Sequence, residues 1–98
     1  MNWDRVRTMY DHFEEVTPAL QLGKLVEEVG EAWEAYLGLM GANPRKGVYG
    51  TRSDVAGELM DVIITAAIAM LCFTDDPEQA EETAWRRVMA NYNVEEDT

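Results

Sequence analysis

One cysteine, one histidine, three prolines and eight basic side chains are all that these 98 residues hold of those types, against nineteen acids. Each scarcity excludes something. Cys72 has no partner, so an intrachain disulfide is impossible and a reducing cytoplasm fits. His12 alone cannot build a zinc site of the usual spacing, nor the two Glu-x-x-His pairs of a di-iron carboxylate bundle. A formal net charge of −11 disfavours a nucleic-acid polymer or an anionic membrane as partner, because both require a basic face. It leaves room for a small phosphorylated ligand only if metal ions bridge the two anions. The longest apolar stretch, Val62–Phe73, is interrupted by Thr65 and is too short to cross a bilayer. Met1, Asn2, Trp3, Asp4 and Arg5 lead into no apolar run, so no secretory signal is expected. EF-hand loops, glycine-rich phosphate loops, internal repeats and low-complexity segments are also missing.

What is present is helical punctuation. Strand alternation is sustained nowhere. A first amphipathic helix is expected over about Trp3 to Glu15, with Trp3, Val6, Met9, Tyr10 and Phe13 on one side. Thr17-Pro18 reads as N-cap and first helical residue of a second helix, which stops at Gly41. That helix has an apolar face of Leu22, Leu25, Val26, Val29, Trp33, Tyr36, Leu37 and Met40. Its polar face is Gln21, Lys24, Glu27, Glu28, Glu31 and Glu34. Gly41–Ser53 is a loop with Asn43-Pro44 as a turn signal. Thr51 or Ser53 caps a third helix running to about Thr74, with Asp54 favoured by the dipole in its first turn. Asp76-Pro77 opens a fourth, with Gln79 placed for a capping box and Ala80, Ala84, Trp85, Val88, Met89 and Tyr92 on its apolar side. Residues 94–98 read as a frayed acidic tail. The expectation is one all-α domain over 1–98, a four-helix bundle near the minimum size for a core and completed by pairing with copies of itself as a homodimer or homotetramer.

The third helix carries the most informative pattern. Asp54, Glu58, Asp61 and Thr65 recur at helical spacing on a segment that is otherwise nearly all apolar. A helix of that kind is expected deep in a core, where Glu58 and Asp61 need an opposite charge that few basic residues are available to supply. Glu28 and Glu31 repeat the three-residue spacing on the second helix, with Glu27 beside them. Packed antiparallel across the loop, the two pairs converge into an oxygen-rich site suited to Mg²⁺, or Mn²⁺ in its place. Gly30 and Gly57 each precede a proposed ligand, and close helix approach would account for both, as would a mild local irregularity of the helix. The competing account is that Glu27, Glu28, Glu31 and Glu34 form an ordinary solvated face. It covers the second helix but not Glu58 and Asp61. His12, beside Tyr10 and Phe13, reads as a helix-surface or interface residue. Trp33, Tyr36 and Trp85 read as core or subunit packing, whereas Trp3, Tyr10 and Phe13 are candidates for one wall of a base pocket.

Lys24-Leu25-Val26-Glu27-Glu28-Val29-Gly30-Glu31, followed by Glu58-Leu59-Met60-Asp61, resembles the E-E-x-x-E … E-x-x-D signature of MazG-like nucleotide pyrophosphohydrolases, in the all-α nucleotide pyrophosphatase superfamily. The likeness covers about Leu20 to Asn91. The loop Asn43-Pro44-Arg45-Lys46-Gly47-Val48 resembles that of a short MazG-like subgroup. The resemblance implies hydrolysis of a nucleoside triphosphate, often a deoxynucleotide or non-canonical nucleotide, to the monophosphate and pyrophosphate. It implies Glu28, Glu31, Glu58 and Asp61 as Mg²⁺ ligands, and Glu27 as an outer residue or the one that orients the attacking water. Arg87 and Asn91 match a family spacing for phosphate and sugar contacts, with Arg86 an equal fit to phosphate. Lys24 is a candidate phosphate contact, although an ion pair with Glu28 at i+4 is the favoured reading. Arg45, Lys46 and Arg52 offer either a lid over phosphates or plain solubilising charge. The rival classes are a non-catalytic helical module for self-association or partner binding, and a nucleotide binder with little turnover.

Overall fold

A computed structural model describes residues 1–95; the remainder of the expected acidic tail, 96–98, lies outside the described residues. Four helices and no strand make up the described residues: α1 (Trp3–His12), α2 (Pro18–Leu39), α3 (Arg52–Met70) and α4 (Pro77–Asn91). No helix among them is long and apolar enough to cross a membrane.

Local chemistry sets the helix boundaries. The Thr17 hydroxyl accepts from the Leu20 N–H at 3.2 Å, with Pro18 at the first helical position. Thr51 caps α3 through a complete capping box. Its hydroxyl accepts from the Asp54 N–H at 3.1 Å, and its own N–H donates to Asp54 Oδ2 at 2.8 Å. At the start of α4, Asp76 accepts from the Gln79 N–H at 3.1 Å, but the reciprocal half is missing because the Gln79 amide donates to Thr83 Oγ1 instead. The C-terminus of α2 closes as a Schellman motif: Ala42 N–H reaches Leu37 O, Gly41 N–H reaches Gly38 O, and Gly41 takes the left-handed conformation at φ +66°. Asn93 serves the same role after α4, at φ +56°. Helix α1 ends three residues short of the expected Glu15, because Phe13 is already extended on the way to the Thr17 cap.

The main packed unit is the α2–α3 hairpin. Gln21 meets Thr65 and Glu28 meets Glu58, so the helices run antiparallel. The inward seam of α2 is Gln21, Leu25, Glu28, Ala32, Ala35 and Leu39, facing Val55, Glu58, Val62, Thr65 and Ala69; every one of these is buried or half-buried. This differs from the face read off the sequence. Gln21 and Glu28 turn inward, whereas Leu22, Val26, Val29, Trp33, Tyr36 and Met40 are exposed. The reason is steric: Ala32 and Ala35 let the backbones approach where Trp33 and Tyr36 would hold them apart. Helix α1 covers only the C-terminal half of α3, where Trp3, Val6, Ala67 and Ile68 form the core with Tyr10, Val16, Met70 and Leu71 against it. The outward face of α3 ahead of Thr65 is not deep in a core: Leu59, Met60, Ile63 and Ile64 are 40–51% exposed.

Helix α4 is fastened at one end. The Glu81 carboxylate accepts from Trp3 Nε1 at 2.8 Å and Trp85 Nε1 at 3.3 Å, and lies 3.3 Å from the N-terminal ammonium. Arg7 pairs with Glu78 at 2.7 Å. Beyond that latch Trp85, Val88 and Tyr92 are exposed. The radius of gyration, 16.6 Å, exceeds the about 13 Å of a compact chain of this length. The described residues form an open helical array, not a closed four-helix bundle.

Candidate metal centre

The inward turn of Glu28 and Glu58 brings acids together at the middle of the hairpin. Carboxylate oxygens of Glu28, Glu31 and Glu58 lie within 4.8 Å of one another. Glu28 and Glu58 are half-buried and Glu31 is exposed at the rim. One oxygen of Glu58, Oε2, is buried with no hydrogen-bond partner. A buried carboxylate oxygen without a donor is costly, and nothing among the described residues satisfies it. The nearest cation is Lys24, whose Nζ is 3.4 Å from Glu28 Oε1, so the ion pair favoured from the i,i+4 spacing forms. One ammonium against three carboxylates leaves the group electronegative. Glu31 registers this: the Glu28 carboxylate beside it, partial loss of water, a hydrogen bond to Glu28 and the charge of Glu58 raise its pKa, with Lys24 opposing.

The donor set is all oxygen, closely spaced and short of protons and cations. That fits a hard divalent cation such as Mg²⁺ or Mn²⁺, whereas a zinc or copper site would call for histidine or thiolate. The structure brings together three of the four ligands expected from the sequence. Asp61, one turn beyond Glu58, is exposed and stands outside this grouping. Glu27 is exposed one turn before Glu31 on the same flank of α2. Asp54 is occupied by the Thr51 capping box.

The basic candidates lie apart from the acids. Glu28 sits about 16 Å along α2 from the loop that carries Arg45 and Lys46. Lys46 Nζ lies over the Tyr49 ring, 5.8 Å from its centroid. Tyr49 is seated on Gly38: its N–H donates to Gly38 O at 2.9 Å, and a Cβ at Gly38 would come within 2.5 Å of the ring. Arg52 is exposed in the first turn of α3. Arg86 pairs with Glu82 at 2.9 Å, while Arg87 and Asn91 are exposed on α4, which packs little against α2. His12 is exposed, edge-on to Phe13. Trp33 stacks on Tyr36 at 5.7 Å, and Trp33 and Trp85 are more than half exposed, so neither is core.

Gln21 is the residue the sequence reading missed. Assigned to the polar face, it is instead buried, with its amide donating to Thr65 O at 3.2 Å. The signal was available in the 4-3 spacing of Gln21, Leu25, Glu28, Ala32, Ala35 and Leu39, which runs beside the larger apolar stripe. Compared with family models, curated proteins and solved structures, the chain shows no significant match.

Proposed function

We propose that the protein is a Mg²⁺-dependent hydrolase that splits a nucleoside triphosphate, a deoxynucleotide or non-canonical nucleotide in particular, into the monophosphate and pyrophosphate. One observation carries the reading: Glu28, Glu31 and Glu58 bring carboxylate oxygens within 4.8 Å of one another, and Glu58 also has a buried oxygen without a donor. An interaction module has no use for such an arrangement, since a leucine or methionine at position 58 would pack better at no desolvation cost. The motif resemblance supplies the substrate class, and the charge supports it. An acidic protein that takes a polyanion needs divalent ions between the two.

Glu28, Glu31 and Glu58 are the ligands in this reading, with Asp61 joining from the next turn of α3. A bound Mg²⁺ supplies positive charge for the phosphate oxygens and lowers the pKa of coordinated water. The chain's own residues do the rest. Glu27, exposed beside Glu31, accepts the proton of the attacking water. The water oxygen bonds to the α-phosphorus, the bond from that phosphorus to the bridging oxygen breaks, and pyrophosphate leaves with the bond electrons. Lys24 holds Glu28 in place by its ion pair. Arg87, Asn91, Arg45 and Lys46 are the candidates for phosphate and sugar contacts.

The test is a panel of canonical and damaged nucleoside triphosphates with Mg²⁺, Mn²⁺ or chelator, scored separately for pyrophosphate and orthophosphate. Pyrophosphate released only with metal supports the reading. No pyrophosphate from any nucleotide, or release unaffected by chelator, overturns it.

A further inference from the structure

Gln21 has no part in the proposed chemistry, yet its amide makes the single hydrogen bond that crosses between α2 and α3 among the described residues. Both partners are buried, Gln21 at 9% exposure and Thr65 at 7%. The acceptor is a main-chain carbonyl inside α3, which the helix ladder already supplies with the N–H four residues on, that of Ala69. Thr65 O therefore has no need of the bond, and an aliphatic side chain at position 21 would be buried at less desolvation cost. A buried amide kept in a helix–helix seam against that cost is a means of fixing which residues face each other.

The rest of the seam sets no register of its own. Leu25, Ala32, Ala35 and Leu39 face Val55, Val62 and Ala69, small or aliphatic side chains of a kind that tolerates a one-turn slip. The three carboxylates at its middle push the helices apart. At the loop end the hairpin is tied by the Tyr49 N–H, bonded to Gly38 O at 2.9 Å. At the open end the tie is Gln21. Gln21 precedes Glu28 by seven residues and Thr65 follows Glu58 by seven. The tie and the acid contact thus stand one heptad, about 10 Å, apart on both helices. A one-turn slip would carry Glu58 about 5 Å along α2. Oxygens that share one Mg²⁺ at about 2.1 Å stand no more than about 4.2 Å apart, so that slip takes Glu58 out of the site.

We infer that Gln21 is a positioning residue for the proposed cation site: through Thr65 O it sets the register of α2 against α3 that brings the Glu28 and Glu58 carboxylates together. Its consequence for metal rests on the proposed function, whereas the register itself is measured without metal.

The experiment compares the wild type with two variants. Gln21→Met keeps the length of the side chain and removes its donor. Leu25→Ala opens a cavity in the same seam and keeps the Gln21 donor. Mn²⁺ affinity is read from the paramagnetic resonance signal of the free ion, and the melting temperature is taken without metal. In the wild type and Gln21→Met, nuclear Overhauser contacts between the Leu25 and Val62 methyls are also recorded in metal-free protein. Gln21→Met should bind Mn²⁺ about tenfold more weakly. It should melt no lower than the wild type and lose at least half of the Leu25–Val62 contact intensity. Leu25→Ala should melt lower, with its Mn²⁺ affinity unchanged. Wild-type Mn²⁺ affinity in Gln21→Met, or wild-type Leu25–Val62 contacts there, overturns the inference. Leu25→Ala weakening Mn²⁺ binding as much as Gln21→Met also overturns it, because affinity would then follow the stability of the seam. A wild type that binds no Mn²⁺ fails the metal reading, and the methyl contacts then decide the register alone. Gln21→Asn, whose amide ends one methylene short of Thr65 O, replaces Gln21→Met if that variant does not fold, with the same losses expected.

Discussion

Two groups of glutamates in this small protein live under opposite conditions. On α4, Glu78 and Glu81 are met by donors. A backbone N–H and Arg7 hold Glu78 below its ordinary pKa of 4.5, and the Trp3 and Trp85 indoles do the same for Glu81. On the α2–α3 hairpin, Glu28, Glu31 and Glu58 meet mainly each other, and Glu31 is pushed above the same ordinary value. The first group holds the fold together. The second stands against electrostatic cost, as the proposed cation site would require.

Removing Glu58 breaks the contrast most severely. Glu58→Ala should reduce metal-dependent pyrophosphate release by about a thousandfold. Its melting temperature should hold or rise, since the change deletes a repelling charge and an unsatisfied oxygen. Calorimetry and a pyrophosphate assay on one preparation check both halves. Trp3→Ala acts on the other region. Trp3 is only 7% exposed and donates to Glu81, so truncation should cost about 3 kcal/mol in urea unfolding and free α4 from α1.

The two groups should also respond oppositely to acid. Glu78 and Glu81 have lowered values, so the stability they confer is full above 4.5 and is lost as pH falls through their folded values. Glu31 has a raised value, so its contribution is full below 4.5 and is lost as pH rises through its folded value. Hydrogen exchange followed from about pH 7 down to about pH 2 should show α4 amides losing protection below 4.5, while those around Glu31 gain it on acidification toward 4.5. Saturating Mg²⁺ should abolish the second trend and leave the first. The smallest effect is expected at Gly38→Ala. The added methyl displaces the Tyr49 ring, costs about 1 kcal/mol and shifts Tyr49 resonances, with no change in metal binding.

The helix boundaries were legible in the sequence because caps are local. Thr17-Pro18, Thr51 with Asp54, and Asp76-Pro77 each define a helix start through contacts three residues long. The faces were less legible. Two apolar stripes run side by side on α2, and hydrophobicity alone favours the bulkier one, whereas close packing against α3 selects the stripe with Ala32 and Ala35. Glu28 and Glu58 were findable from their three-residue spacing to Glu31 and Asp61. The exposure of Asp61 was not, because it follows from α3 being covered only at its C-terminal half. The Glu81 latch pairs residues 78 positions apart, and no local pattern announces it.

The most direct measurement is a Mn²⁺ titration of the wild type and Glu58→Ala, followed by the electron paramagnetic resonance signal of the free ion. The account predicts saturable loss of that signal with the wild type, competition by Mg²⁺, and binding weakened at least tenfold by the substitution. A wild type that leaves the free-ion signal untouched, or a variant that binds as tightly, would contradict it.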